Sequence, residues 1–294
     1  MLSWVKNLNK INFGSGKFSE SYQDKLLDYI FSNIKTTNTP PLCIEFGYSS
    51  NSLTKKSFAN TSKLIIEKGW NSLLLDKNNE NPEINLQKHL LTSENICKIF
   101  RKYNVPKEPE YISIDIDSID LWIFESLIKK YKAKLFSVEY NCNFPINRSI
   151  TIKNDPSIPI NTDRAFGASL KALNQVAENN GYVLLWVVEE LDAFFIRRDL
   201  INDKSSLISY PLTKWEYATN IPAMEPIKNK DIINYFLDYE IFLNTSGDVN
   251  QSTKAAKEIC MKVLRFNLLR EIKWIKRIPE KWRRNKKRLF SFLG

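Results

Sequence analysis

The chain has 294 residues, of which 43% are hydrophobic and 12% aromatic, and this apolar content excludes a mainly disordered protein. Its formal net charge is +10, but the charge is unevenly distributed. Residues 254–294 contain 14 basic and 3 acidic residues, whereas residues 1–253 contain 29 basic and 30 acidic ones. The sequence therefore predicts a nearly neutral globular body followed by a strongly basic tail.

Several classes of protein are disfavoured at once. No apolar run approaches the roughly 20 residues that a transmembrane helix needs, and the first residues lack the apolar segment of a signal peptide. The scattered cysteines predict reduced thiols, and the single histidine, His89, excludes a multi-histidine metal site and argues against Ser-His-Asp chemistry. We therefore expect a cytoplasmic protein.

Residues 1–35 predict a loosely held polar arm followed by an amphipathic helix at 21–34. From residue 36 onward, short apolar strands alternate with helices. Strands are predicted at 41–47, 71–76, 110–117 and 134–141, and helices at 59–70, 93–103 and 120–131. Asn60 or Thr61 can cap the first of these helices, Gly69 can close it, and Ser93 can cap the second. Continuous apolar strands between helices indicate a parallel sheet that is covered on both faces.

The last part of the chain up to residue 200 predicts that the sheet does not end in another parallel strand. A helix at 164–180 is followed by two apolar strands, GYVLLWVVEE and AFFIRRDL, whose close spacing requires an antiparallel hairpin. The pattern predicts an α/β fold, with a doubly wound, mostly parallel sheet over residues 36–200 that ends in this hairpin. Residues 201–253 are expected to form a connecting or lid region with a helix at 231–243.

Acidic residues recur at the ends of the predicted strands: Glu45, Asp76, Asp115, Asp117 and Glu139. In open α/β sheets, ligands bind at the carboxyl ends of the parallel strands. A single acidic residue at such a position is more often a helix cap or a solvated turn. Five at corresponding positions predict a binding site along this edge of the sheet.

Several sequence blocks, in order, resemble S-adenosylmethionine-dependent methyltransferases of the FkbM-like family. The resemblance implies a class I, Rossmann-like methyltransferase fold with a mostly parallel seven-stranded sheet. The blocks span residues 20–200 and include YQDKLLDYIFSNI, CIEFG, TSENI, SIDID, SVEYNCNFP, FGASLKAL and AFFIRRDL. The resemblance implies methylation of a small-molecule acceptor, with a sugar or glycan-precursor hydroxyl as the expected target.

The resemblance also implies cofactor-binding residues. Gly47, after Glu45, would let the backbone approach the methionine end of the cofactor, and Asp76 would accept both ribose hydroxyls. Asp115 would lie beneath the transferring methyl group. The remaining implied positions are Glu94 and Asn95 near the adenine and Ser50 in the first loop. Ser50-Asn51 and Ser118-Ile119 depart from the acid-glycine and Gly-Asn pairs that the family usually has.

If the acceptor is a hydroxyl, its proton must be removed by a base or with the help of a metal. Asp117 and Glu139 are the candidate catalytic carboxylates. Asp115, Glu139 and Asn141 offer oxygen ligands for an octahedral Mg²⁺ site, as in some related sugar O-methyltransferases. Asp115-Ile116-Asp117 is also similar to the DxD motif of metal-dependent, nucleotide-sugar glycosyltransferases. A catalytically inactive, methyltransferase-like binding protein is the third alternative.

The basic tail favours a location or a docking partner rather than a reaction. Residues 252–278 predict one long amphipathic helix with basic residues opposite an apolar face, and the last residues add a basic cluster with aromatic side chains. This pattern is typical of a helix on an anionic membrane surface, here the inner face of the membrane. Binding of nucleic-acid phosphates and simple packing on the body are the other interpretations.

Overall fold

The computed structural model of the chain describes residues 3–55, 57–142, 144–158, 166–201 and 230–260. The α-helices with defined bounds are α1 Ser3–Leu8, α2 Gln23–Asn33, α3 Ser62–Lys68, α4 Ile96–Lys102, α5 Asp120–Ile128, α6 Leu170–Asn179 and α7 Tyr239–Asn244. Residues 249–260 are also helical. The strands are β1 Leu42–Phe46, β2 Asn71–Asp76, β3 Leu86–Lys88, β4 Tyr111–Ile114, β5 Leu135–Glu139, β6 Ile150–Ile152, β7 Tyr182–Val187, β8 Asp192–Arg197 and β9 Phe236–Asp238.

Seven of these strands form one sheet, in the order β3-β2-β1-β4-β5-β8-β7. The five strands from β3 to β5 are parallel to one another, and β8 runs antiparallel to both β5 and β7. The predicted mostly parallel, seven-stranded sheet with a final hairpin is therefore confirmed. Because β8 is reversed, its first residue, Asp192, lies at the edge where the parallel strands end, opposite Glu139.

Helices cover both faces of the sheet, as the sequence predicted. In β1, Cys43 packs with α1, α2 and α3 on one face, while Ile44 and Phe46 pack with α4, α5 and α6 on the other. This alternation follows from the two-residue period of a strand. Both faces of the strand are therefore apolar, and the segment 42–46 is a continuous apolar run apart from Glu45.

The prediction of a loosely held arm over residues 1–19 is wrong for its described part. Trp4, Val5 and Leu8 of α1 are buried against α2, and Phe18 is buried as well. The tyrosine hydroxyl of Tyr29 donates a hydrogen bond to the Trp4 carbonyl at 2.8 Å. A single six-residue helix is too short to show a hydrophobic period in the sequence, so its apolar side became visible only against α2.

The helix predicted at 231–243 is also wrong in part. Residues Lys230–Tyr235 form a 3-10 helix, β9 follows, and the α-helix begins only at Tyr239. The Asp238 side chain accepts a hydrogen bond from the Ile241 N–H at 3.0 Å and so caps α7. The strand exists because β9 pairs with β6 in a separate antiparallel sheet, a partner far away in sequence.

Helix capping was predicted correctly at one end and wrongly at another. Gly69 closes α3 with φ 66°, as expected from its freedom to adopt a left-handed backbone. The helix α4 begins at Ile96 with Asn95 at the cap position, not with Ser93. The Ser93 hydroxyl instead donates to Glu94 at 2.6 Å.

Two predicted regions fall outside the described residues. Residues 202–229 contain most of the expected connecting or lid region, and residues 261–294 contain most of the basic tail. Cys43, Cys142 and Cys260 are buried, and Cys97 is partly buried. No helix in the described part of the chain is long and apolar enough to span a bilayer.

Candidate active site

A cavity of about 770 Å³ lies along the carboxyl ends of β1, β2 and β4, and we call it the strand-end cavity. Gly47, Asp76, Asp115 and Asp117 lie in its wall. Residues 89–91 and 156–158 contribute to the wall from other segments. With Glu45, which also lines the cavity, the structure brings together five of the residues that the sequence analysis selected, from three different strand ends.

Gly47 makes the turn directly after β1, and this turn packs against the backbone at the end of β4. Its φ is 74°, and a Cβ atom at this position would overlap the carbonyl oxygen of Asp115. Its N–H donates to the Leu75 carbonyl at 2.9 Å. The glycine is thus required by backbone packing between neighbouring strand ends, in addition to any close approach of a ligand.

Glu45 has a structural partner that the sequence analysis did not foresee. Its buried carboxylate accepts hydrogen bonds from the backbone N–H groups of Asn60 at 2.8 Å and Thr61 at 3.0 Å, and from the Thr61 hydroxyl. Burial raises the pKa of Glu45. Glu45 therefore anchors the start of α3 to β1, and both of its oxygens are already engaged.

Asp76 is the last residue of β2 and is only 8% exposed. Its Oδ1 accepts hydrogen bonds from the backbone N–H groups of Asn78 and Asn79, both at 2.7 Å. These bonds turn the chain away from the strand and hold the carboxylate in the cavity wall. A fixed carboxylate at this position can accept hydrogen bonds from a ligand diol.

Three other predicted cofactor residues are not among those that line the strand-end cavity. The Ser50 hydroxyl donates to the Ser52 carbonyl at 2.9 Å. Glu94 is exposed, and the hydroxyl of Ser93 lowers its pKa. Asn95 donates from Nδ2 to the carbonyl of Leu90 at 2.8 Å, and Leu90 does line the cavity. Asn95 therefore acts on the wall through the backbone of Leu90.

Asp115, Asp117 and Glu139 form a cluster that we call the acidic triad. Each offers a carboxylate oxygen within 4.8 Å of the others. The Oε2 atom of Glu139 is buried and has no hydrogen-bond partner among the described residues. Asp117 is held with φ 54°, a left-handed backbone that aspartate tolerates better than most residues. Oxygen ligands at this spacing suit a divalent cation.

Burial and the neighbouring negative charges raise the pKa values of two carboxyl groups in the acidic triad. Burial, followed by the charge of Asp115, raises the pKa of Glu139 well above its usual value. Desolvation, followed by the charge of Asp192, raises the pKa of Asp115 in the same way, although this side chain reaches the cavity. Neighbouring carboxylates that cannot all ionise together retain a proton or attract a cation.

Asn141, the third predicted metal ligand, is buried just beyond β5. Its Nδ2 donates to the Phe166 carbonyl at 3.1 Å, and its backbone N–H donates to the Ala168 carbonyl at 2.8 Å. Asn141 therefore ties the segment before α6 to the end of β5. Asp117, which the sequence analysis assigned to catalysis, lies with Asp115 and Glu139 in the acidic triad.

Sequence reasoning missed two buried carboxylates at this edge. Asp192 accepts hydrogen bonds from Gln23 Nε2 at 3.0 Å and Asn60 Nδ2 at 3.2 Å. Asp120 accepts the N–H groups of Ile116 at 2.8 Å and Ser118 at 2.9 Å. An acidic residue directly before the second predicted hairpin strand was the available signal for Asp192, because a reversed strand begins where the parallel strands end.

Comparison with known proteins does not assign the chain to a family. No protein-family model matches the sequence. A search of curated proteins also returns no match. The fold and the strand-end cavity therefore carry the functional argument.

Proposed function

We propose that the chain is an S-adenosylmethionine-dependent methyltransferase of the class I, FkbM-like type, acting on a hydroxyl of a small molecule such as a sugar or glycan precursor. One observation carries the proposal. A single cavity connects the carboxylate that ends β2, the Gly47 turn after β1 and Asp115 after β4. The sheet around it has only β8 reversed, an order that resembles the class I methyltransferase topology.

The residues present fit the proposed cofactor. The cavity volume of about 770 Å³ lies within the range of small-molecule sites. Asp76 would accept the two ribose hydroxyls, and the wall between Gly47 and Asp115 would hold the methionine part. Its sulfonium and ammonium groups are positive, and they would face the carboxylates of Asp115 and Asp117.

The acidic triad supports a role in proton removal. Transfer of a methyl group to an acceptor hydroxyl releases a proton, and a carboxylate with a raised pKa is better matched to accept it. Asp117 and Glu139 are the candidate bases. The same residues, with Asp115, fit a divalent cation such as Mg²⁺, because they offer hard oxygen ligands and an unpartnered Glu139 oxygen. When bound, the cation would lower the pKa of an acceptor hydroxyl.

The charge of the cavity wall separates this proposal from a glycosyltransferase. Five carboxylates line the wall, from Glu20, Glu45, Asp76, Asp115 and Asp117. Lys77 is the one lysine or arginine among the described residues that line it. With no metal ion bound, a nucleotide-sugar diphosphate would bring two negative charges into this environment, whereas S-adenosylmethionine carries a net positive charge. The wall therefore favours the cationic cofactor.

Isothermal titration calorimetry tests the proposal with S-adenosylmethionine and UDP-glucose as probes. We expect the wild type to bind S-adenosylmethionine and not UDP-glucose. Asp76→Asn should weaken cofactor binding about ten- to hundredfold, because hydrogen bonds to a charged group contribute about 1.5–3 kcal/mol.

Glu67→Gln is the matched control, because Glu67 is exposed on α3 and outside the cavity wall. Its affinity for S-adenosylmethionine should equal that of the wild type. Absence of cofactor binding in the wild type, or equal binding by Asp76→Asn, overturns the proposal. Binding of UDP-glucose alone supports the glycosyltransferase alternative.

A further inference from the structure

Glu20 and Phe58 are two of the residues that reach the strand-end cavity from outside the strand ends. Glu20 belongs to the segment before α2, and Phe58 belongs to the loop between β1 and α3. Glu20 is exposed, and the Phe58 side chain is 60% exposed although it is large and apolar. Neither residue was selected by sequence reasoning, since neither follows a strand.

A fixed loop holds Glu20 in the wall. The Asp24 carboxylate accepts hydrogen bonds from the backbone N–H groups of Lys17 at 2.9 Å and Phe18 at 3.2 Å, and from the Ser19 hydroxyl at 3.3 Å. The buried ring of Phe18 anchors the same loop in the protein. Glu20 is therefore presented by an ordered segment and not by a free arm.

Glu20 lies toward the acidic end of the cavity. Its charge contributes to the raised pKa of Asp192, after burial, so the two carboxyl groups are close enough to interact. Asp192 opposes Glu139 in the sheet. Asp76 ends β2, which is four strand spacings from β8, or roughly 19 Å at 4.8 Å per strand. The Asp192 end of the sheet is therefore well separated from the proposed ribose contact.

Phe58 is held in a conformation that a bulky residue rarely adopts. Its φ is 51°, and such a left-handed backbone costs about 1–3 kcal/mol. The loop before it is fixed by the Ser57 hydroxyl, which donates to the Ser52 carbonyl at 2.9 Å and accepts from the Thr54 N–H at 2.9 Å. The loop thus places an aromatic ring on the cavity wall, where it can stack on a ligand.

We propose that Glu20 and Phe58 form the acceptor subsite of the strand-end cavity. The subsite takes an uncharged or cationic acceptor, whose apolar face lies on the Phe58 ring and whose hydroxyl or ammonium group donates to the Glu20 carboxylate. With no divalent cation bound to the acidic triad, it rejects phosphorylated or carboxylated acceptors, because Glu20, Asp115 and Asp117 repel a negative charge. This inference rests on the proposed function, since it needs a cofactor in the other half of the cavity.

The test is saturation-transfer difference NMR on the full chain with saturating S-adenosylhomocysteine. The probes are three glucose derivatives of different charge: neutral methyl α-D-glucopyranoside, cationic D-glucosamine and anionic α-D-glucose 1-phosphate. We expect signals from the neutral and cationic probes and none from the anionic one. Glu20→Gln and Phe58→Ala should each weaken probe binding about tenfold, as expected for one charged hydrogen bond or one aromatic stack.

Two variants control for loss of charge and of apolar surface elsewhere. Glu67→Gln removes an exposed carboxylate, and Leu243→Ala removes an apolar side chain that is 42% exposed, both outside the cavity wall. Both should bind the probes as the wild type does. Binding of S-adenosylhomocysteine by Glu20→Gln and Phe58→Ala should also be unchanged, which shows that the variants are folded.

The outcomes separate the two proposals. If the wild type does not bind S-adenosylhomocysteine in calorimetry, the proposed function is contradicted, and the subsite with it. If the cofactor product binds, three results contradict the subsite alone: no signal from any probe, a signal from the phosphate equal to that of the neutral sugar, or unchanged signals in both variants.

Discussion

Gly47 and Asp115 are in such close contact that any side chain on Gly47 would overlap the carbonyl oxygen of Asp115. The contact joins the ends of β1 and β4, two neighbouring strands of the sheet. It brings the backbone after β1 against the acidic triad. The shape of the strand-end cavity therefore depends on the absence of a single Cβ atom.

Gly47→Ala should destabilise the protein strongly. The variant would suffer both a left-handed backbone strain, about 1–2 kcal/mol, and the overlap with Asp115. Gly69→Ala is the matched control, because Gly69 has a similar φ of 66° and nothing within 4 Å of the added carbon. Urea unfolding should show a loss at least about 2 kcal/mol larger for Gly47→Ala. Equal losses in the two variants would show that the contact with Asp115 relaxes easily.

Lys134 and Glu110 form a buried ion pair that fixes the segment before β1. The atoms Nζ and Oε1 are 3.6 Å apart, and both side chains are at most 2% exposed. Lys134→Met leaves Glu110 buried without its counter-charge and should cost about 3–5 kcal/mol in unfolding free energy. Lys129→Met, which breaks the exposed pair with Glu125, should cost less than about 0.5 kcal/mol. A small loss of unfolding free energy for Lys134→Met would show that the N–H groups that donate to Glu110 are enough to stabilise its buried charge.

Asp120 should make stability fall as the pH rises. Burial raises its pKa to about 6 in the folded protein, above the value near 4 of an unfolded aspartate. Between these values the folded state binds more protons, so the contribution of Asp120 is complete below pH 4 and lost as the pH rises through 6. Asp120→Asn removes this titration. The unfolding free energy of Asp120→Asn minus that of the wild type should therefore increase by up to about 3 kcal/mol between pH 4 and pH 7, as measured by urea unfolding. A constant difference across this range would contradict the raised pKa.

The acidic triad should bind a divalent cation in the folded protein and not in the unfolded chain. At a concentration of Mn²⁺ 100 times its dissociation constant, wild-type stability should rise by about 2.7 kcal/mol. Glu139→Gln should lose most of this gain, because it removes a charged oxygen ligand from the triad. Glu67→Gln should retain it. An equal gain in Glu139→Gln would place the Mn²⁺ elsewhere.

The basic tail should bring the protein to anionic membranes. We expect the full chain to float with vesicles of 30% phosphatidylserine at low salt, and a variant that ends at Cys260 to stay behind. The cut follows Cys260 because Ala256 and Cys260 are buried and belong to the body. Flotation should decrease as salt screens the charges. If both proteins behave alike, the membrane interpretation is wrong.

The sheet could be read from the sequence because its signals are local. Each strand buried on both faces is a short apolar run, and the helices between the strands have their own apolar period. In a parallel sheet the strand ends meet at one edge whatever the exact register. This is why the positions of Asp76 and Asp115 in the cavity, and of Glu139 beside it, were predicted correctly.

Other parts depended on partners that lie far apart in the chain. The pairing of β6 with β9, the burial of α1 on α2 and the place of Asp192 opposite Glu139 each join distant segments. No periodicity within a short window reports such a pairing, because the partner supplies the missing surface or hydrogen bonds.

The sequence by itself determined the α/β alternation, the acidic edge of the sheet and the basic character of residues 254–294. Only the tertiary structure decided that Glu45 anchors a helix, that Asp117 joins Asp115 and Glu139, and that Glu20 and Phe58 line the cavity. The reason is physical: the residue type sets which chemistry a side chain can perform, whereas the packing of distant segments decides which neighbours it meets and which of its atoms remain available.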